Sequence, residues 1–247
     1  VPAFYEPVYR EDGTLEEMRI REGSGAPEKV RKRVVENMDG AYFPVKTIIP
    51  STEIVHDRVM LELFRGCIRG CRFCQAGYVY RPVRSRSPEL LAQYGKAACE
   101  DSGYQEMTLS SLSSTDYPCL LELCDDLLDY CAPRDIGLSL PSMRADTFSM
   151  NLMERLQRVR KGGLTFAPEA GTQRLRDAIN KNLREEDLLQ SVRTAFTGGW
   201  NGVKLYFMLG LPTETDEDVL GIADLARKVY FAWRECSPNK ARGVRIT

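Results

Sequence analysis

From residue 58 onward, the sequence alternates between short apolar runs and longer segments with helical periodicity. The runs that predict strands are residues 59–64, 106–112, 136–140, 163–167, 202–209 and 243–247. One segment that predicts a helix begins at residues 87–89. The others are residues 117–130, 148–160, 172–180, 184–196 and 215–233. Parallel strands cannot be joined by tight turns, so this order predicts an α/β sheet, open or barrel-like. Its functional groups are expected at the carboxyl ends of the strands.

Residues 1–54 lack this alternation and are interpreted as an N-terminal extension. A turn signal at residues 11–13 predicts a β-hairpin, helical spacing predicts a helix over 27–38, and two prolines predict an extended connector over 41–52. Residues 55–247 form the predicted core domain. The chain begins without methionine and ends on a β-branched run. We therefore expect a fragment whose sixth strand is truncated and whose core is incomplete at its C-terminal end.

Composition excludes several classes of protein. With 34 basic and 35 acidic residues, the net charge of −1 gives no electrostatic argument for binding nucleic acid or a membrane surface. The apolar runs stay short of the roughly 20 residues that span a bilayer, so no membrane partner is expected. Eight cysteines in a chain long enough to build a core favour a reducing cytoplasm over a disulfide framework.

Three of these cysteines, Cys67, Cys71 and Cys74, occupy one loop directly after the first predicted strand. Arginines at positions 65, 69 and 72 surround them and predict lowered thiol pKa values. Three thiolates suit an iron–sulfur cluster in which one iron keeps no protein ligand. The alternatives are a buried stripe on a helix, which glycines at 66, 70 and 77 oppose, and a zinc site. Structural zinc needs a fourth ligand, and the single histidine, His56, lies at the other end of the predicted strand.

The Cys-x3-Cys-x2-Cys pattern after the first strand, with Phe73 before the last cysteine, resembles that of radical SAM enzymes. The resemblance implies a partial (β/α)6 barrel in which the three cysteines hold a [4Fe-4S] cluster and S-adenosylmethionine chelates the fourth iron. It implies reductive cleavage of that sulfonium to methionine and a 5′-deoxyadenosyl radical. An electron donor such as flavodoxin or ferredoxin is implied as a partner. In the family, the position of Phe73 packs near the adenine.

Later motifs look like the same superfamily. Ser111 and Ser113 lie in segment 109–116, where family members hold the methionyl amino group, although a Gly-Gly-Glu triplet is absent. Gly210 begins a turn similar to the Gly-Leu-Pro-Gly-Glu-Thr turn of the branch that contains tRNA methylthiotransferases and the Elongator catalytic subunit. Thr213 replaces its second glycine. The combined motifs resemble an uncharacterised bacterial group whose members carry a cobalamin-binding-like domain ahead of this segment. RNA modification and methyl transfer through cobalamin are equally open.

Two further pairs of residues follow predicted strands. Thr172 is expected to cap a helix, and Glu169 either hydrogen-bonds the ribose of the cofactor or is a solvated loop acid. Ser142 and Arg144 are expected to enter the same pocket. There Arg144 either meets a carboxylate of the cofactor or substrate, or forms a salt bridge, for example to Asp146.

Two remaining motifs have alternative readings. Residues 78–86 interleave aromatics with arginines, which is typical either of RNA binding or of a solvated loop that covers the cluster. Cys119, Cys124 and Cys131 are too far apart around one predicted helix to share a ligating face. Core packing is expected for these three thiols.

Overall fold

A computed structural model describes residues 2–141, 143–156 and 163–247. The chain divides into two compact units, Val1–Glu36 and Asn37–Thr247. In the first unit, strand β1 (Tyr5–Tyr9) pairs antiparallel with β2 (Leu15–Ile20), which confirms the predicted hairpin. The buried Tyr5 hydroxyl donates a 2.6 Å hydrogen bond to the carbonyl of Pro27 and ties the hairpin to the segment that follows it.

The helix predicted over residues 27–38 is wrong, because the structure has no regular element there. Val30 and Val35, which would form its apolar stripe, are exposed. A helix this short is marginal in water unless a packed face stabilises it. The basic residues at 29 and 31–33 also repel one another at helical spacing. The helical spacing of apolar residues was therefore not enough to form a helix in this segment.

Among the described residues, the second unit has six parallel strands in two three-stranded sheets. The first sheet has the order β3 (Val59–Glu62), β6 (Glu106–Ser110) and β7 (Gly137–Ser139). The second has the order β8 (Leu164–Glu169), β9 (Gly202–Phe207) and β10 (Arg245–Ile246). A short antiparallel pair, β4 (Phe64–Arg65) with β5 (Arg84–Ser85), brackets the cysteine loop. The predicted α/β class with parallel strands is confirmed, and within the described residues no ladder joins β7 to β8.

Helices connect these strands as the alternation predicts. They are α1 (Ala76–Val79), α2 (Pro88–Ser102), α3 (Leu120–Cys131), α4 (Met150–Leu156), α5 (Gln173–Ala178), α6 (Glu185–Thr197) and α7 (Asp216–Cys236). The last residues of the helix predicted over 148–160 lie outside the described residues. In the ranges that the structure describes, no helix combines the length and apolarity that crossing a bilayer requires.

The apolar core lies between the strands and the helices. In β8, Leu164 and Phe166 are buried in this core, while the alternating Thr165 is only half-buried on the opposite face. Cys124 and Cys131 are fully buried in the core and Cys119 is half-buried against it, so their predicted role in core packing is confirmed.

The structure groups residues 37–54 with the second unit rather than with the hairpin. Arg86 is 2% exposed and donates hydrogen bonds to the carbonyls of Met38, at 2.6 Å, and Ala41, at 3.1 Å. The ring of Phe43 stacks on that of Tyr94 with 4.8 Å between centroids. This connector, which the sequence assigned to the extension, is therefore packed on the core.

Candidate functional site

A cavity of about 350 Å³ collects the three cysteines of the loop after β4. Cys71 is buried, and Cys67 and Cys74 are half-buried in its wall. Cofactor sites commonly enclose about 300–1,000 Å³, so the cavity has a suitable size. It opens where β6, β7 and β8 end, which is the edge at which the strand order predicted chemistry.

Four of the residues predicted to bind the cofactor line this cavity: Phe73, Ser113, Arg144 and Glu169. The hydroxyl of Ser113 is buried and has no hydrogen-bond partner within the protein. A buried hydroxyl without a partner is unfavourable, so a bound ligand is the natural source of one.

Three other predicted residues lie outside the cavity wall, and one is not described. Ser111 accepts a hydrogen bond from the amide of Ser113 and contacts the Ser114 hydroxyl, so it supports the loop. Thr172 caps α5 by accepting from the Leu175 amide at 3.3 Å, as predicted. Gly210 has a positive φ of 79°, and Thr213, where the related turn has glycine, has a φ of 68°. Ser142 lies outside the described residues.

The cysteine loop is held at both ends and from one side. A Cβ at Gly66, which has a φ of 97°, would come within 2.8 Å of the carbonyl oxygens of Tyr80 and Pro82, so the loop packs closely on residues 80–83. The cysteine loop also contacts the segment after α5, where the amide of Arg72 donates a hydrogen bond to the carbonyl of Ile179 at 2.9 Å. The side chain of Asn180 donates to the carbonyl of Gly70 at 2.8 Å. The connection between α5 and α6 therefore braces the ligand loop.

A four-membered ionic network joins the cysteine loop to the loops that follow β6 and β7. Arg69 donates to Asp116 at 2.9 Å and lies 3.4 Å from Asp146. Arg144 donates two hydrogen bonds to Asp146, at 2.9 and 3.1 Å. The hydrogen bond to Asp116 raises the pKa of Arg69. For Asp116, burial is the largest single effect and raises the pKa, but the hydrogen bond from Arg69 and the positive charges of Arg69 and Arg144 are among the effects that together lower it below its usual value.

The salt bridge from Arg144 to Asp146, one of the two alternatives that the sequence left open, is present in the structure. The Arg144 guanidinium lines the cavity, yet it is bound to Asp146 and also donates to the carbonyls of Lys181 and Asn182. Most of its donors are thus engaged within the protein.

Glu169 stands out by its backbone. It has a φ of 67°, which is uncommon for a residue other than glycine, and a register shift separates it from Phe166 along the β8–β9 ladder. Pro168, which has no amide hydrogen, occupies the irregular stretch. Bulges and strained residues of this kind often re-aim a side chain at a functional site.

Lys181 is a site residue that the sequence reasoning missed. Its ammonium lies 2.9 Å from the Glu169 carboxylate and 5.9 Å from the centre of the Phe73 ring, and it lines the cavity. Asn180 and Asn182 on either side have φ values of 54° and 49°, so the chain turns sharply and returns Lys181 to the site. The Asn-Lys-Asn triplet after a helix was the available signal, because asparagine tolerates this conformation.

The predicted lowering of thiol pKa values by neighbouring arginines is wrong for Cys71. Burial raises the pKa of this thiol, and the cations that oppose the rise are Lys181 and Arg144. Arg65 is instead paired with Glu62 at 2.7 Å. The charge of Arg69 is likewise engaged by acids, as described above. Sequence proximity therefore identified the wrong cations.

The three thiols line one cavity. Throughout the described parts of the chain, no three His, Cys, Asp or Glu side chains are grouped so as to hold a single metal ion. A zinc ion needs its ligands within about 2.0–2.3 Å of one centre. In an iron–sulfur cluster each thiolate binds a different iron, so a wider separation is suitable.

Comparisons with known proteins place the chain in one family. The family model described as the radical SAM superfamily matches residues 61–226. An uncharacterised protein of Methanocaldococcus jannaschii is 40% identical over 170 residues, which cover 69% of this chain and 37% of that protein. The tRNA-2-methylthio-N(6)-dimethylallyladenosine synthase of Pelotomaculum thermopropionicum is 27% identical, over 81% of this chain and 46% of that enzyme. The chain thus spans less than half the length of these relatives.

Solved structures show the same fold. The radical S-adenosylmethionine methyltransferase TsrM of Kitasatospora setae superposes with a TM-score of 0.59 at 14% identity, over 70% of this chain and 34% of that chain. The cobalamin-dependent S-adenosylmethionine radical enzyme OxsB superposes with a TM-score of 0.54 at 15% identity, over 68% of this chain and 26% of that chain. The arrangement of strands and helices is therefore the partial barrel that the sequence motifs implied.

Proposed function

Since the chain belongs to the radical SAM superfamily, we propose that it holds a [4Fe-4S] cluster on Cys67, Cys71 and Cys74 and reductively cleaves S-adenosylmethionine. The observation that carries this proposal is that all three thiols line one cavity together with both charged and aromatic groups. Three thiolates suit a [4Fe-4S] cluster, because they are soft ligands that bind three of its irons and leave the fourth for S-adenosylmethionine.

When bound, the cluster supplies one electron that splits the sulfur–carbon bond of S-adenosylmethionine into methionine and a 5′-deoxyadenosyl radical. The protein's own residues bind and orient the cofactor and exclude water. Phe73 offers an aromatic wall in the cavity, and its ring already faces the Lys181 ammonium. The unpartnered Ser113 hydroxyl is a hydrogen-bonding group for the methionyl end of the cofactor.

Two charged side chains are proposed to fix the orientation of the cofactor. Glu169, at the irregular end of β8, is proposed to accept hydrogen bonds from the ribose hydroxyls, which its position in the cavity wall supports. Lys181 is placed to bind the methionyl carboxylate, because its ammonium has three donors and only one is directed at Glu169. Arg144 then acts mainly as a positioning residue, since it binds Asp146 and the turn that carries Lys181.

Anaerobic reconstitution with iron and sulfide tests the proposal. The wild-type protein is expected to bind about four irons per chain and, with dithionite, to convert S-adenosylmethionine to 5′-deoxyadenosine, measured by chromatography. The Cys71→Ser variant is expected to lose both the cluster absorbance and the product, because its hydroxyl is a poor ligand for iron.

The matched control is Cys119→Ser, which changes a half-buried cysteine outside the cavity. It is expected to retain iron and cleavage. The proposal fails if Cys71→Ser still cleaves the cofactor, or if the wild type holds stoichiometric zinc and forms no reductant-dependent product. The latter result would establish a metal-binding module in place of an enzyme.

The reaction that follows radical formation is a separate proposal. Two kinds of relative suggest it, namely those named as tRNA-modifying synthases and those named as cobalamin-dependent. Protein purified anaerobically from its host is to be analysed for bound RNA and corrinoid. Enrichment of a defined RNA supports an RNA substrate, and stoichiometric corrinoid supports methyl transfer.

A further inference from the structure

Helix α5 carries a fully buried arginine, Arg176, which does not line the cofactor cavity. Its side chain is 1% exposed, although arginine is almost never buried to this extent without a partner. Burial lowers the pKa of its guanidinium. A buried cation destabilises a fold unless its donors find acceptors, so the contacts that Arg176 makes show what it does in the molecule.

The hydrogen bonds of the Arg176 guanidinium go to uncharged oxygens. Its Nη1 donates a buried hydrogen bond of 2.9 Å to the carbonyl of Ala170. Its Nε and Nη2 donate to the side-chain oxygen of Gln173 at 3.4 and 3.2 Å. The carboxylate of Glu185 lies 3.8 Å from Nη2, which is beyond hydrogen-bonding distance. The shortest of these contacts is therefore the one to a main-chain carbonyl.

That carbonyl belongs to the residue that follows Glu169, the acid of the cofactor cavity. The carbonyl of Glu169 itself accepts a 2.8 Å hydrogen bond from the amide of Met208, just after β9. Two successive carbonyls are thus held, one by Met208 and the other by Arg176. Glu169 has a φ of 67°, and such a conformation persists only where the surrounding structure determines it. Arg176 supplies part of that support.

The main chain of Arg176 contacts the second charged residue of the cavity. Its carbonyl accepts a 2.9 Å hydrogen bond from the amide of Lys181, whose ammonium lies 2.9 Å from the Glu169 carboxylate. Arg176 therefore holds Lys181 through its backbone and the segment of Glu169 through its side chain. A substitution of Arg176 keeps the first contact and removes the second, so the effect of the side chain on Glu169 can be measured separately.

We propose that Arg176 is a positioning residue, whose side chain holds the carbonyl of Ala170 and thereby aims the Glu169 carboxylate into the cofactor cavity. The inference rests on the proposed function, in which Glu169 accepts hydrogen bonds from the ribose of S-adenosylmethionine. Hydrogen bonds weaken steeply as their angles depart from linearity, so a misdirected carboxylate binds the cofactor less tightly. The three thiols keep their places, because none of them contacts Arg176 through these hydrogen bonds.

The test measures the dissociation constant of S-adenosylmethionine by anaerobic titration calorimetry of the reconstituted protein. Arg176→Met is expected to raise this constant about tenfold, because methionine has no donor for the Ala170 carbonyl. Arg176→Lys keeps one donor but cannot bind Ala170 and Gln173 together, so a rise of about threefold is expected. Iron content is expected to stay at the wild-type level in both variants.

A double-mutant cycle distinguishes a positioning role from a merely structural one. Glu169→Ala removes the carboxylate that Arg176 aims. In that background, Arg176→Met and Arg176→Lys are each expected to leave the dissociation constant within about twofold of that of Glu169→Ala alone. A general loosening of the fold would instead weaken binding by the same factor in both backgrounds. Arg176→Lys supplies the cycle if Arg176→Met does not fold.

Arg86→Met is the matched control for the loss of a buried arginine. Arg86 is 2% exposed and likewise donates to main-chain carbonyls, those of Met38 and Ala41, but it does not line the cavity. Like Arg176→Met, this variant is expected to lower the midpoint of urea unfolding, because it leaves buried acceptors without donors. Its affinity for S-adenosylmethionine is expected to equal that of the wild type.

Wild-type affinity in the Arg176 variants overturns the proposal. It is also overturned if their losses are equal with and without the Glu169 carboxylate, or if Arg86→Met weakens binding as much as Arg176→Met. Failure of the proposed function has a different signature. In that case the reconstituted wild type itself binds no S-adenosylmethionine, and the role of Arg176 falls with it.

Discussion

At the scale of single residues, the contact between Lys181 and Glu169 determines how the cofactor cavity is charged. The two side chains are mostly buried and 2.9 Å apart, and the ammonium also lies near Phe73 and Cys71. Arg144, for which the sequence left open a contact with a carboxylate of the cofactor or a salt bridge, is bound to Asp146. The structure therefore supports Lys181 as the cation with donors to spare.

Replacing Lys181 by methionine is expected to weaken the binding of S-adenosylmethionine to the reconstituted protein by about 10- to 100-fold. This range corresponds to the loss of one hydrogen bond to a charged group, about 1.5–3 kcal/mol. Titration calorimetry measures the affinity. Iron content is expected to stay at the wild-type level, because Lys181 is not a ligand.

Lys204→Met provides the matched control, since Lys204 is exposed on β9 and does not line the cavity. An equal loss of affinity in both variants would show that overall charge, and not the position of Lys181, sets the binding. Wild-type affinity in Lys181→Met would reassign the carboxylate to Arg144.

The residues that the sequence could predict were those fixed by a motif. Cys67, Cys71 and Cys74 share a short spacing, and all three reach the cavity. Lys181 was missed because it comes from a turn far along the chain, and only the fold brings it to the cysteines. The cations that act on Cys71 were misassigned for the same reason, since ion pairing is decided in three dimensions.

At the scale of elements, helix α7 approaches the loop after β8 unusually closely. A Cβ at Gly171 would overlap the carbonyl of Asp218 and the amide of Ile222, and a Cβ at Gly221 would come within 2.9 Å of the Thr172 methyl group. Asp218 is buried at this contact and binds Thr172, whose hydrogen bond holds the pKa of the carboxyl below its usual value. Two glycines thus bring α7 against the start of α5.

Replacing Gly171 by alanine is expected to lower the free energy of unfolding by about 1–3 kcal/mol or more, because the methyl group forces backbone apart. Urea denaturation followed by circular dichroism measures the change. Gly163→Ala is the control, because a Cβ there meets nothing within 4 Å. Its effect is expected to stay within about 0.5 kcal/mol. Comparable losses in the two variants would contradict the close approach.

The order of elements was predictable, and their irregularities were not. Each predicted strand of the core has a counterpart, because buried parallel strands and amphipathic helices leave different apolar periods. The break between β3 and β4 and the irregular end of β8 leave no such period, since they arise from ladder hydrogen bonds with neighbours. Residues 27–38 show the opposite case: their apolar residues have helical spacing, but no helix forms and Val30 and Val35 stay exposed.

At the scale of the whole molecule, the boundary between the two units decides which part of the chain carries the site. In the second unit, Met38 is buried and its carbonyl accepts a hydrogen bond from Arg86, while Phe43 packs against the apolar core. The sequence placed the end of the extension at residue 54, whereas the compact units meet after Glu36.

Two truncations distinguish these boundaries. A chain that begins at Asn37 is expected to unfold within about 2 °C of the intact chain, because the removed residues form a separate compact unit. A chain that begins at residue 55 is expected to unfold at least about 5 °C lower, since it loses Met38, the acceptors of Arg86 and the Phe43–Tyr94 stack. Scanning calorimetry measures both. Equal melting temperatures for the two truncations would favour the boundary at 54.

The pairing of β4 with β5 bears on how the proposed iron–sulfur cluster would be taken up. Phe64 lies opposite Ser85 and Arg65 opposite Arg84, so main-chain hydrogen bonds join the two ends of the segment that contains the three cysteines. The conformational entropy of this loop is therefore lost when the chain folds, and closing the loop adds little to the cost of binding the proposed cluster. For the proposed cluster, this pairing means that the segment carrying Cys67, Cys71 and Cys74 is ordered by main-chain hydrogen bonds of its own and does not rely on the metal alone.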